Sequence, residues 1–495
     1  MPATIHFLLS ILTLCCAFVP PIVERPEKPA PAAPERRSLW AATWKPFPAD
    51  CTTLTEMIFV GGQFTPGKPN QMPDPVAAAA RSKLAPPGRA TLHWWRYSNS
   101  LFGVPIDNAV VRGSPSPKIP TPWSNFAAPE TRREWTEWLR RFQRAGGRLD
   151  YLIGDYEQWG LLKNWGLPKG AAVVIAADPR AQRPLWGAPP LATLLEGVRA
   201  DRVDDFMQFP DYLGWNRAMS RLTSAAMNYA IFEPAREAFP NVKGSNFAGV
   251  RMLDKPGPDA NGHPQAWDNV FGTASAPAEY GMIEGSARAW FIDPDDPTRL
   301  SKKGTRRIAF EPWFSFITDI QQARSCRRTA PELPLQPWVA FSHWPGMTGQ
   351  VAYPADQRYW DEMVRHFALH GAEMFNFWNP TTVDNPETGP WATVPDRDGG
   401  ARRLDRVLRD LNTRLQGVVV RHATSAPISY LADVVTSGGQ RPNGSWIWRT
   451  TVKPGVVALR DRRTGSIVSL DDGAVGRWDV TSEPVAPDYE AVRAP

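Results

Sequence analysis

The stretch PETRREWTEWLRRFQRAGGRLDYLIGDYE, residues 129–157, decides the fold. Pro129 suits the first turn of a helix, where its missing N–H would have no partner anyway. Trp135, Trp138, Leu139 and Phe142 then fall at i, i+3, i+4 and i+7, one face of a helix. Gly146 and Gly147 end it, and the apolar run LDYLIG that follows reads as a buried strand ending on Asp155 and Glu157. Helix, tight turn and strand in that order form the unit of a mostly parallel sheet.

Three more such units follow. A helix over about 221–239 precedes NVKGSNFA (241–248), with Pro240 unable to continue the helix. A helix from 312 to about 327 precedes PWVAFSHW (337–344), and one over 355–370 precedes AEMFNFW (372–378). Earlier strands are expected at 56–61 and 91–97, and a helix over 402–415 closes the series. Strands that end in aromatic or polar residues fit an α/β fold of the (β/α)8 TIM-barrel type better than a doubly wound sheet, because barrel sites lie at such strand ends. Residues 161–215 and 250–305 read as long loop insertions over that face. After about 418 the pattern changes to short alternating strands with Gly-rich turns (SWIWRTTV, GVVALRD, GSIVSLDD), a small all-β domain.

The chain is 495 residues long, enough for roughly three domains at about 150 residues each. Its apolar share of 42% and charged share of 21% are those of a folded globular chain, which excludes a disordered or fibrous one. The 51 prolines predict long ordered loops, and the 22 tryptophans offer flat faces suited either to sugar rings and other planar ligands or to core packing. A net charge of +6 is spread without runs of like sign, so it favours acidic partners only weakly, and no nucleic-acid module is present.

The apolar run Ile5 to Val19 is too short to cross a bilayer and sits where a signal peptide belongs. Residues 1–23 therefore read as an export signal or a membrane tether, and the Pro-rich residues 24–37 as a stiff linker. Residues 38–417 would be the barrel and 418–495 the β domain, in a protein exported to the periplasm, the cell surface or the medium. Export would leave Cys51 and Cys326, whose pairing the sequence does not decide.

Asp155 and Glu157 stand two apart on one strand, so both carboxylates belong to one face, about 7 Å apart. Crowding two acids raises the pKa of one, giving a proton donor beside a carboxylate that stays charged. The plainer reading is a solvated or calcium-binding pair. The apolar lead LDYLIG and the following Trp159 favour catalysis.

Ile153-Gly-Asp155-Tyr-Glu157-Gln-Trp159, followed by Asn164-Trp165, resembles the I-D-W-E-E-W…N-W stretch of hyaluronidases and is similar to the D-x-D-x-E strand of chitinase-type glycosidases. The resemblance covers about 15 residues and implies a (β/α)8 hydrolase. In those families the Glu is the acid and the substrate's own acetamido group attacks the anomeric carbon. The resemblance then implies that Glu157 protonates the glycosidic oxygen and Asp155 positions the acetamido group, outside the two-carboxylate scheme. Asn164-Trp165 lies closer to the acids than in hyaluronidases, and Ile153-Gly154 replaces the extra upstream Asp of chitinases. GAEMFNFWN (371–379) is similar to the last barrel strand of the same enzymes, which implies that Trp378 floors a sugar subsite; Asn376 in the same stretch is a further candidate substrate-binding residue.

Trp95, Trp159 and Trp344 also lie at or just past expected strand ends, and His343 and Asn246 are further candidate sugar hydrogen-bonders. Glu311, in RIAFEPWF, is a candidate second carboxylate, although an acid just before Pro312 also suits a helix N-terminus for structural reasons. Gly62 to Lys68 lacks the Ser/Thr of a phosphate loop, and no G-x-S-x-G elbow occurs. His366 and His370 share a helix face, but Phe367 stands where a zinc protease needs its Glu; they read as satisfied residues of a helix surface. Asp293, Asp295 and Asp296 lack the glycine and terminal Glu of a calcium loop.

The expected function is glycoside hydrolysis of a polysaccharide or oligosaccharide, with no cofactor and no metal. Two other readings stay open. One is an ordinary retaining glycosidase using Glu157 and Glu311, and the other is a non-catalytic surface glycan-binding protein on the same scaffold.

Overall fold

The computed structural model describes residues 38–60, 72–95, 108–110, 118–120, 128–155, 170–203 apart from 185, 228–247, 279–280, 335–341, 357–378, 382–385, 389–393, 397–415, 428–429 and 432–493 apart from 442 and 472, with scattered positions in 211–225 and 313–324. Among them, no helix is long and apolar enough to cross a membrane.

The parallel strands run in chain order: β1 Ala41–Thr43, β2 Leu54–Glu56, β3 Ile58–Val60 and β4 Thr91–Trp95. A separate antiparallel pair, β5 Asn108–Val110 and β6 Lys118–Pro120, intervenes before β7 Tyr151–Asp155, β8 Lys243–Phe247, β9 Glu279–Tyr280, β10 Trp338–Ala340 and β11 Phe375–Trp378. One set pairs in the order β2-β1-β11-β10-β9 and the other in the order β3-β4-β7-β8, every pairing within the two sets being parallel. Only Met57 separates β2 from β3, and its N–H donates to the Thr43 carbonyl at 3.0 Å, so the two sets share one strand path. Eight strand positions therefore follow one another in sequence order, and the first, β1, pairs with the last, β11. Among the described residues no pairing joins β8 to β9, so a closed barrel is not seen.

Side chains from strands far apart in this order nevertheless meet. Trp40, Ala42, Met57, Ile153, Trp338, Ala340, Met374 and Trp378 form one buried cluster. A flat sheet could not bring β7 against β10 and β11, so the strands curl around a common interior.

Outside the strands lie the helices α1 Pro75–Ser82, α2 Ala128–Arg144, α3 Glu233–Ala238, α4 Gln357–Leu369 and α5 Arg397–Leu415. The α2 stripe is the expected one. Trp135, Trp138 and Phe142 stack in series at 5.0 and 5.1 Å, Trp94 meets Trp135 at 4.8 Å, and the Trp135 indole donates to the Ile231 carbonyl. Gly146, at φ +74°, ends the helix in the left-handed conformation that glycine alone adopts without steric cost. Helical residues Trp313, Phe316, Ile317, Ile320 and Ala323 are likewise buried. On α5, Asp405 accepts from both the N–H and the hydroxyl of Thr53 at 2.8 Å, and Asn412 exchanges two hydrogen bonds with the Leu39 backbone. The last helix thus holds the first two strands.

Two expectations need correction. Six strands were expected and eight strand positions exist: β1 has three residues and β9 two, too short for a periodic signal, and β9 lies within what reads as a single insertion at 250–305. Part of the other insertion, residues 170–203, forms short helical turns with an apolar centre of its own around Ile175, Leu191 and Trp215.

Beyond α5 the chain is antiparallel. After the hairpin β12 Thr382–Asn385 and β13 Gly389–Thr393, which precedes α5, come β14 Val434–Gln440, β15 Trp446–Val452, β16 Val456–Asp461, β17 Ile467–Ser469, β18 Gly476–Thr481 and β19 Tyr489–Arg493. They form two sheets, β14-β15-β18 and β17-β16-β19. Ile428, Val435, Ile447 and Val475 share one core with Phe316, Tyr359, Met363 and Phe367 of the helical layer.

Candidate active site

Strand alternation sorts residues between the outer helical layer and the interior. Leu54, Phe375 and Phe377 belong to the outer core, while Met57, Met374 and Trp378 belong to the inner one. Asn376 and Thr55 therefore lie on the inner face. His93 also lies inside, fully buried among Trp44 at 5.2 Å, Phe59 at 4.9 Å and Trp338 at 5.5 Å. Burial pushes its pKa down to about 3, so the ring is neutral at any ordinary pH.

At the N-terminal end of the strands the interior is filled. Lys243 reaches Glu373 at 3.3 Å and lies 5.6 Å from the Tyr151 ring centre, Tyr151 meets Trp40 edge-on at 5.4 Å, and Arg89 lies 5.5 Å from the Trp40 ring centre. At the C-terminal end, Asp155 is the last residue of β7, in register with Trp95 of β4 and Phe247 of β8. Ala340 is in register with Trp378.

The expected site residues divide as follows. Asp155 and Trp95 are placed only as strand positions, the last residues of β7 and β4 and in register with one another. Trp378 ends β11, is 8% exposed, and packs within the inner cluster. Asn376 is fully buried one inward position below it, and neither its carbonyl nor its amino group has a hydrogen-bond partner. Glu157, Trp159, Glu311, His343 and Trp344 lie outside the described residues, as do Asn164-Trp165, Gly62 to Lys68, Asp293 to Asp296 and Cys326. Asn246 is placed only as a position on β8. Cys51 is a buried free thiol whose pKa burial raises to about 11, an inert group. Among the described residues no group of three or more His, Cys, Asp or Glu could hold a metal ion.

Sequence reasoning missed the inward His93, Trp40, Trp44 and Trp338. The alternation of Trp40, Ala42 and Trp44 around β1 is a readable strand signal, though a short one.

The second polar cluster is not where the sequence suggests. His366 and His370 are buried, not on a helix surface, because β14 and β15 cover that face of α4. His366 contacts the Ser437 hydroxyl at 2.7 Å and the Thr451 hydroxyl at 2.9 Å, and His370 contacts Ser437 at 3.1 Å. Thr451 donates to Glu362, which also takes Arg449 bidentately at 2.6 and 2.5 Å. Burial alone would raise the Glu362 carboxyl, but Arg449 and Arg365 hold it down at about 2. The Ser–His–Thr–Glu chain has the composition of a nucleophilic relay, yet Ser437 and His366 are wholly inaccessible. It is a structural joint.

No family model matches the chain. No curated protein matches it either. Among solved structures, it is similar to a GH27 β-L-arabinopyranosidase from Geobacillus stearothermophilus in complex with arabinose, at 10% identity and a TM-score of 0.29 over 93% of this chain and 98% of that one. An endo-β-1,6-glucanase aligns at 8% identity with a TM-score of 0.32 over 81% and 71%. The catalytic domain of GH30 xylanase C from Talaromyces cellulolyticus aligns at 10% identity with a TM-score of 0.26 over 87% of both chains. These three neighbours are glycoside hydrolases.

Proposed function

We propose that the chain is a glycoside hydrolase that cleaves a polysaccharide at the C-terminal ends of eight parallel strands closed into a (β/α)8 barrel. The observation that carries this reading is the position of Asp155: last residue of β7, in register with Trp95, on a curled set of strands whose opposite end is filled by Trp40, Tyr151, Lys243 and Glu373. Barrel catalysts stand at that edge. Two residues on in the sequence, Glu157 is the proposed general acid, and Trp378, the last residue of β11, is the proposed platform.

Glu157 protonates the glycosidic oxygen as the bond to the anomeric carbon breaks. On an N-acetylhexosamine the neighbouring acetamido oxygen closes on that carbon, Asp155 orients the acetamido group, and water then opens the ring with Glu157 taking its proton back. The apolar segment Ile5 to Val19 suits an exported enzyme that meets its polymer outside the cytoplasm. The α5 boundary near residue 417 and the β region after it complete the proposed domain plan.

The test is reducing-end release by the purified chain on hyaluronan, chitin, peptidoglycan and neutral glucans, beside Glu157→Gln. Cleavage that vanishes in the variant supports the reading. Binding without cleavage by either protein replaces it with a glycan-binding role, and cleavage that survives in Glu157→Gln removes Glu157 from the chemistry.

A further inference from the structure

The inner face carries one register row of unusual composition. Thr55 of β2, Ala42 of β1, Asn376 of β11 and Trp338 of β10 are consecutive partners across four strands. Asn376 is 0% exposed and Thr55 5%, and the carboxamide of the first and the hydroxyl of the second have no hydrogen-bond partner. Between them in the row stands Ala42, whose side chain is a single methyl. Trp338, Met374 and Trp378 wall the same interior.

A buried amide with both its donor and its acceptor unsatisfied is rarely kept in a folded protein, because every hydrogen bond it made to water in the unfolded chain is forfeited. Two such groups flanking one small residue are explained together if something else supplies their partners. We propose that Asn376 and Thr55 form the floor of a ligand subsite that takes one uncharged group of a sugar, Asn376 donating to one of its oxygens and accepting from an adjacent hydroxyl or N–H. The group is uncharged because the side chains that share its wall, Ala42, Trp338, Met374 and Trp378, are apolar, while Lys243, Glu373 and Arg89 stand at the N-terminal end of the strands. A charge brought to the row would be buried without a counter-ion. Trp378, one inward position above Asn376, is the apolar face against which the same sugar ring lies. The choice of a sugar rests on the glycosidase reading; the existence of the subsite rests on the row.

The test titrates the full chain with glucose, galactose, N-acetylglucosamine and glucuronate, following the intrinsic fluorescence of the tryptophans that line the interior. Saturable binding of a neutral sugar is expected, with glucuronate at least tenfold weaker. Asn376→Leu, close in volume, is expected to weaken the neutral sugar at least tenfold while melting at the same or a higher temperature, since it deletes two unsatisfied groups. Thr55→Val keeps its shape and is expected to weaken binding several-fold, and it carries the test if Asn376→Leu does not fold. Unchanged affinity in a folded variant, equal binding of glucuronate, or no sugar binding by the wild type overturns the proposal. If Glu157→Gln abolishes hydrolysis but Asn376→Leu and Thr55→Val leave KM and binding untouched, this inference fails and the glycosidase reading stands. If no polymer is cleaved but the variants lose a sugar that the wild type binds, the reverse holds.

Discussion

His93 on β4 and Trp338 on β10 lie with ring centres 5.5 Å apart, although three strand paths separate them in the pairing order. At about 4.8 Å per strand a flat sheet would hold them roughly 19 Å apart, so this single contact measures the curl of the strands around their interior. His93→Ala should therefore loosen both sets of strands at once. A loss of about 2–4 kcal/mol is expected from urea unfolding, as for other large buried side chains. A loss below about 0.5 kcal/mol would mean that the interior contact contributes little.

Acid should destabilise the protein well above the pH at which its carboxylates titrate. His93 and His366 are both pushed down to about 3 by burial, whereas the unfolded rings take up protons near 6.5. Folding excludes those protons, so stability is intact above about pH 6.5 and falls as pH drops toward 3, by up to about 1.4 kcal/mol per pH unit for each ring. Glu362, held at about 2 against an ordinary 4.5, adds a contribution that is present above 4.5 and fades as pH falls toward 2. Urea midpoints at pH 7.5, 6.0 and 5.0 should fall steadily, and His366→Gln should remove about half of that slope. A flat profile would contradict the buried neutral state of both rings.

The Glu362–Arg449 pair offers a sharper test of the joint between α4 and β15. Both side chains are buried, so Glu362→Ala strands the Arg449 cation and should cost about 3–5 kcal/mol. Replacing both at once, Glu362→Leu with Arg449→Met, should recover most of that loss. If single and double variants are equally unstable, packing and not charge is the larger part of the joint.

Tyr359 donates its hydroxyl to the Val452 carbonyl at 2.7 Å. Tyr359→Phe removes that buried hydrogen bond, at an expected cost of about 0.5–1.5 kcal/mol. Cutting the chain after residue 417 removes every such contact and bares Phe316, Tyr359, Met363 and Phe367. The shortened protein should bind hydrophobic dyes and fail to unfold cooperatively; a sharp melt from residues 38–417 alone would show the β region to be dispensable.

Gly146→Ala should cost about 1–2 kcal/mol at φ +74°, since an L side chain there meets the following carbonyl. Thermal denaturation of the variant checks this directly, and an unchanged midpoint would mean that the turn between α2 and β7 relaxes freely.

What the sequence made readable was the helix–strand unit, because Trp135, Trp138, Leu139 and Phe142 repeat at helical spacing and the Gly146 turn separates them cleanly from a second period. The strands that escaped it, Ala41–Thr43 and Glu279–Tyr280, are shorter than any period can register. His366 and His370 were legible as a pair but not as buried, since their partners Ser437 and Thr451 stand some 70 to 85 residues away in sequence. Asp155 could be placed at a strand end from local pattern alone. That Asn376 lacks partners could not be foreseen, because satisfaction of a polar group depends on neighbours supplied by β1, β2 and β10.

The pairing of Ala41 with Phe375 also sets an order of events. A ribosome adding roughly 5–20 residues per second needs about 20 to 70 s to travel from one to the other, and Asn412 and Asp405, which pin the start of the chain, emerge later still. The first strand can pair with β2 almost at once, but its other edge waits until β11 has been made. That parallel pairing cannot form piece by piece as the chain is synthesised, so one edge of Ala41–Thr43 stays open to premature association for most of the synthesis.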